Sequence, residues 1–136
     1  MAFEHILFDL DGTLTDSYEG IAKCVQYALH YYGIEENNEE NLKRFIGPPL
    51  WESFHIFYNF PEEKAKEAVL KYRERYHTVG VYENKVIAGV PETLKTLYDN
   101  GKKIYLATSK PLKLAKIVLE HFDLANYLSL IHISEP

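Results

Sequence analysis

Residues 3–16 read "FEHILFDLDGTLTD". The run Ile6, Leu7, Phe8 and Leu10, broken only by Asp9, has the length and composition of a strand buried on both faces, as in a parallel sheet. Side chains alternate along a strand, so Asp9 and Asp11 are expected to point the same way. Gly12 and Thr13 break the run and permit a tight turn. Two carboxylates therefore leave the carboxyl end of a strand together, which is where open α/β sheets bind ligands. Burying such a pair costs several kcal/mol per ion unless something compensates, on the order given by ion desolvation. A hard divalent cation does so, and Mg²⁺ often takes only one or two protein carboxylates. A calcium loop is excluded by its own spacing. With Asp9 and Asp11 at its third and fifth positions, the first and twelfth would be Leu7 and Tyr18, neither of which supplies the required oxygen.

Composition narrows the class. The chain has 136 residues, a hydrophobic fraction of 46% and a net charge of −5. That size suits one domain, or a small domain with an insertion. The acidic balance argues against a nucleic-acid polymer or an anionic membrane as partner, while leaving room for a small phosphorylated metabolite. The single cysteine, Cys24, excludes an intrachain disulfide and a cysteine-rich zinc site; on its apolar stripe it reads as a small buried hydrophobe. No apolar run has the length of a membrane span, and "MAFEH" does not look like a secretory signal, so a cytoplasmic location is expected.

The chain after Thr13 switches to helical spacing. Asp16 and Glu19 fit a capping box, followed by Ile21, Cys24, Val25, Ala28, Leu29 and Tyr32 on one stripe, with Gly33 as the stop. The polar "EENNEEN" of 35–41 reads as a solvated loop and the first turn of a short helix through Leu42 to Ile46, which "GPP" at 47–49 must break. A further helix covers Leu50 to Tyr58. Pro61 opens another, with Glu62 and Glu63 suiting its dipole, and Ala65, Ala68, Val69, Tyr72, Tyr76 and Val79 form its stripe. Residues 15–80 thus read as about four helices and no strand. Beyond a linker near 80–90, Pro91 starts a helix that Gly101 ends. "KKIYLATS" is a second buried strand, and Pro111 begins the next helix. "YLSLIHISEP" offers a third short strand. Strands separated by helices imply a parallel sheet with right-handed crossovers.

"DLDGT" at Asp9 to Thr13, preceded by "HILF", resembles the first motif of the haloacid dehalogenase superfamily. The order of elements is similar to its capped branch of phosphoglycolate phosphatases, β-phosphoglucomutases and small nucleotidases. The resemblance covers residues 3 to about 127. It implies an α/β fold, a three-layer Rossmann-like parallel sheet core, incomplete here, with an inserted helical cap. The core would take residues 1–14 and 81–136, the cap 15–80. It also implies a Mg²⁺-dependent phosphatase that hydrolyses a small phosphate monoester (phosphoglycolate, a sugar phosphate or a nucleotide). By the family's roles Asp9 attacks phosphorus to give an aspartyl phosphate, and Asp11 protonates the leaving oxygen and then deprotonates water. The Asp9 carboxylate and the Asp11 backbone carbonyl would hold Mg²⁺, with Gly12 and Thr13 beside the phosphate.

"YLATSKP" is similar to the family's second motif, which makes Thr108 the phosphoryl-binding hydroxyl. Ser109 and Lys110 stand next to it, Ser109 as a phosphate ligand or a helix N-cap, Lys110 as a substrate contact or a solvated lysine. "FIGPPL" at 45–50 resembles a cap segment facing the active site, in which Gly47 permits close approach to a ligand; a plain helix connector reads equally well. Arg73 and Arg75, two apart on a helix, face different directions, so at most one reaches a substrate.

The pattern stops short at the carboxyl end. The family's third motif is a lysine and its fourth one or two acids, yet no lysine follows Lys116, and Glu135 is the only acid after Asp123. "LSLIHISEP" does not resemble the family's third strand and reads as out-of-frame or sequencing-adapter translation. The chain is therefore expected to be an N-terminal fragment. Two functions follow. One is the phosphatase, with a phosphomutase as its variant. The other is a catalytically inactive fragment or phosphate-binding module. Asp11 favours the first, because binding alone needs no acid/base there.

Overall fold

The computed structural model describes residues 4–108 and 110–132, the side chains of residues 131 and 132 excepted. Its contacts divide into two compact units, residues 1–16 with 85–136 and residues 17–84.

The first unit is an α/β Rossmann-like core. Strands β1 (His5–Phe8), β4 (Lys103–Thr108) and β5 (Leu128–His132) form a parallel sheet in the order β1-β4-β5. The register runs from His5 opposite Lys103 to Phe8 opposite Leu106, and from Ile104 opposite Leu128 to Thr108 opposite His132. Parallel neighbours need crossover connections, which helices α5 (Val90–Asp99) and α6 (Leu112–His121) provide. Leu94 of α5 and Leu114, Ala115, Val118 and Leu119 of α6 are buried with Ile104 and Leu106 of β4. A two-residue antiparallel ribbon joins β2 (Thr15–Asp16) to β3 (Lys85–Val86).

Several expectations are corrected here. Strand β1 is not buried on both faces. Among the described residues it pairs with β4 alone, at the edge of the sheet, and Leu7 is 62% exposed. A stretch of strand, β2, occupies Thr15–Asp16 where helix was expected, because the turn after Gly12 sends the chain back alongside β3. Residues 128–132 do form a third core strand. Residues 133–136 lie outside the described residues.

The second unit is helical: α1 (Tyr18–Tyr31), α2 (Glu39–Lys43), α3 (Leu50–Tyr58) and α4 (Glu62–Tyr76), closed by a 3₁₀ turn at Gly80–Tyr82. The cap of α1 is Ser17, and no side chain bonds across it, so the expected box from Asp16 to Glu19 does not form. Gly33 ends α1 in the left-handed conformation, with its N–H donated to the His30 carbonyl. Helix α2 takes its first turn within the polar 35–41 stretch, as expected, where the Asn38 side chain caps it by accepting the Asn41 N–H, and it ends at Lys43, short of Ile46. Its core is aromatic: Phe45 and Phe54 meet edge to face at 5.0 Å, and Tyr72 stacks on Tyr76. Val79, expected on the buried stripe, is exposed, because α4 has ended before it. Cys24 is fully buried, and burial pushes its thiol pKa up, as befits a packing residue. Arg75 donates to Glu83 at 2.6 Å and holds that carboxyl below its usual range, so this arginine serves the helical unit itself.

One close approach defines a test. A Cβ at Gly20 on α1 would stand 2.2 Å from the Gly80 carbonyl oxygen, a backbone atom that cannot swing aside. Alanine would gain helix propensity of about 1 kcal/mol at best, while overpacking costs about 1–3 kcal/mol or more. The clash also threatens the Gly20 N–H bond to the Glu83 carbonyl at 3.1 Å. Gly20→Ala is expected to lower the thermal midpoint by several degrees, read by circular dichroism. A raised midpoint would show that propensity outweighs the contact.

Candidate active site

The parallel register brings the carboxyl ends of β1 and β4 side by side. Asp9 follows the first and Thr108 ends the second. Strand β1 stops at Phe8, so Asp9 and Asp11 lie beyond it in a turn, and the strand alternation expected for them does not apply. Leu10, fully buried, organises the turn: its carbonyl accepts the N–H groups of Thr13, Leu14 and Thr15 at 3.0–3.2 Å. Gly12 has φ +85° and donates its N–H to the Thr15 carbonyl at 2.7 Å. A Cβ there would meet nothing within 4 Å, so conformation rather than space calls for glycine.

The two acids end in different surroundings. Asp9 is exposed, and its Oδ1 accepts the Leu10 N–H at 2.8 Å. Asp11 is mostly withdrawn from solvent, and its Oδ1 is buried without a hydrogen-bond donor. Lys110 Nζ stands 3.3 Å from that oxygen, an ion-pair distance without hydrogen-bond alignment. Thr108 is 3% exposed, and its Oγ1 accepts the Lys110 backbone N–H at 3.0 Å. That bond uses an acceptor site, so the hydroxyl hydrogen can still be given to an oxyanion.

The core thus gathers Asp9, Asp11, Thr108 and Lys110 at one end of the sheet, with Gly12 and Thr13 exposed on the turn. Ser109 lies outside the described residues. Gly47, with φ +103°, belongs to the helical unit in the turn between α2 and α3. The Lys110–Asp11 pair was not foreseen. Ninety-nine positions separate the partners, and only the adjacency of two strand ends could have suggested it.

Among the described residues no group of three or more His, Cys, Asp or Glu could enclose a metal ion. The donors present are two carboxylates and turn carbonyls. One carboxylate is exposed, and the other keeps a buried oxygen with no hydrogen-bond donor. Such a set fits Mg²⁺, which takes one or two carboxylates and fills its shell from water and phosphate.

A family model described as haloacid dehalogenase-like hydrolase matches residues 6–136. It takes in residues 128–136, which sequence reading had set apart from the family. A 5'-nucleotidase from Pseudomonas aeruginosa is 47% identical over 99% of this chain, which spans 61% of that relative. A tyrosine-protein kinase, PtkA, from Mycobacterium tuberculosis is 32% identical over 93% of the chain, which spans 43% of it. Among solved structures, that of a predicted phosphatase from Clostridium acetobutylicum superposes with a TM-score of 0.91 at 46% identity. It covers 96% of this chain, which in turn covers 61% of it.

Proposed function

The chain belongs to the haloacid dehalogenase-like hydrolases, and from that premise we propose that it carries the attacking half of a Mg²⁺-dependent phosphatase acting on small phosphate monoesters. The observation that carries this reading is the convergence of Asp9, Asp11, Thr108 and Lys110 at the carboxyl ends of β1 and β4. Among monoesters, a nucleoside monophosphate is the first candidate, because the relative at 47% identity is named a 5'-nucleotidase.

In the proposed reaction a carboxylate oxygen of Asp9 attacks phosphorus and the bond to the ester oxygen breaks. Asp11 gives its proton to that leaving oxygen. It then takes a proton from water, whose oxygen attacks the aspartyl phosphate, freeing phosphate and restoring Asp9. The Thr108 hydroxyl donates to a phosphoryl oxygen and the Lys110 ammonium adds positive charge beside it. Mg²⁺, held by the Asp9 carboxylate and the Asp11 carbonyl, would offset the negative charge of phosphate and carboxylate.

The test is phosphate release from a panel of monoesters with and without Mg²⁺. It is run on the 136-residue chain and on a chimera completed with the remaining part of the Pseudomonas relative. Mg²⁺-dependent release is expected, larger in the chimera, because the chain spans 61% of that relative. No release by either protein would overturn the reading.

Thr108 supplies a further check. A hydrogen bond to a charged group contributes about 1.5–3 kcal/mol, so Thr108→Val is expected to raise KM roughly tenfold or more. Thr108→Ser keeps the hydroxyl and should stay near the parent. Equal KM values for the valine and serine variants would remove Thr108 from the phosphate site.

A further inference from the structure

Lys110 and Asp11 follow different strands, yet their charges meet at 3.3 Å in a place largely closed to water. The lysine side chain is 9% exposed and that of Asp11 17%. Lysine is rarely placed so unless it is paired. Its backbone is anchored as well, because the Lys110 N–H is donated to Thr108 Oγ1, itself buried at the end of β4. The ammonium is thus delivered to Asp11 from a fixed point. Asp9 differs: its carboxylate is exposed, and the bond to its Oδ1 comes from a neutral backbone N–H. Of two acids two residues apart, one faces a resident cation and the other faces solvent.

We propose that Lys110 is a positioning residue that withholds the Asp11 carboxylate from Mg²⁺. Asp9 is then the carboxylate that meets the metal, and Asp11 stays available to the substrate oxygen. The inference rests on the functional reading above. The physical ground is competition. A bare carboxylate beside a divalent cation is drawn onto it, and at a few ångströms that attraction is strong in a site of reduced dielectric. An ammonium carrying one positive charge, already beside Asp11, cancels most of that pull. The carbonyl of the same residue is left to serve as a neutral donor. The arrangement solves a problem the loop creates for itself, since two adjacent acids would otherwise both be spent on the metal.

The experiment measures Mg²⁺ affinity of the 136-residue chain by calorimetry, and by displacement of Mn²⁺ followed through water proton relaxation. Turnover plays no part in either readout. Lys110→Met keeps the apolar stem and removes the charge, and it is expected to bind Mg²⁺ about tenfold more tightly, as the freed Asp11 carboxylate joins Asp9. Lys110→Arg keeps the charge and should stay within about twofold of the parent by the same electrostatics. Lys110→Met combined with Asp11→Asn is again neutral and should lose the gain. If circular dichroism shows that Lys110→Met fails to fold, Lys110→Gln and the neutral double variant carry the comparison. A lysine with only a packing role would leave affinity unchanged or weaken it. Asp9→Asn separates the two ideas. Undiminished Mg²⁺ binding in that variant overturns the functional reading. Mg²⁺ binding that depends on Asp9, with no gain in folded Lys110→Met or Lys110→Gln, overturns the role of Lys110 alone. A parent that binds no Mg²⁺ overturns both.

Discussion

Asp9→Asn is expected to abolish phosphatase turnover, with a fall on the order of 10⁶-fold, the scale seen when an enzyme loses its attacking group. The amide is a poor nucleophile and cannot form the aspartyl phosphate. It also replaces the charged oxygen proposed to hold Mg²⁺. The substitution is structurally mild. Asp9 is exposed, and an asparagine Oδ1 can still accept the Leu10 N–H that Asp9 accepts at 2.8 Å. The thermal midpoint should therefore hold while activity disappears. The measurement is kcat with p-nitrophenyl phosphate and Mg²⁺ in the chimera, beside a melting curve. Activity within tenfold of the parent would rule out attack by Asp9.

Asp11→Asn is expected to give the second largest effect, and one that depends on the leaving group. A positioned general acid contributes roughly 10²–10⁴-fold. That loss should appear with a nucleoside or sugar phosphate, whose alkoxide must be protonated as it leaves. It should shrink with p-nitrophenyl phosphate, whose phenolate leaves unaided. The ratio between the two substrates matters because this substitution also strips Lys110 of the carboxylate 3.3 Å away. Disturbance of the lysine or of the fold would lower both rates together. Equal losses on the two substrates would therefore remove the acid role from Asp11 and point to damage of the site.

What was readable in the residues differs from element to element. Helix α3 was bounded by its sequence, because "GPP" sets its start at Leu50 and no apolar periodicity continues past Tyr58. Strand β4 was equally plain, its apolar run starting just after the glycine that ends α5. Strand β1 was recognised but its surroundings were misjudged. An apolar run records a strand's composition and not how many neighbours pair with it, and among the described residues β1 has only β4. The ribbon of β2 and β3 was illegible, since two-residue strands carry no periodicity and form only because Gly12 turns the chain back.

The same division runs through the site. By itself the sequence determined the chemistry on offer: a pair of acids two residues apart behind an apolar run, a glycine to turn the chain after them, and a hydroxyl at the end of a second strand. These are local facts of composition and spacing, and local steric preference decides them. Tertiary structure alone decided that the acids lie beyond the strand, one open to solvent and one closed off, and that Lys110 reaches Asp11 across 99 positions. The reason is geometric. Parallel pairing of β1 with β4 sets two strand ends, distant in sequence, side by side, and electrostatics between groups a few ångströms apart then gives two chemically identical carboxylates different partners.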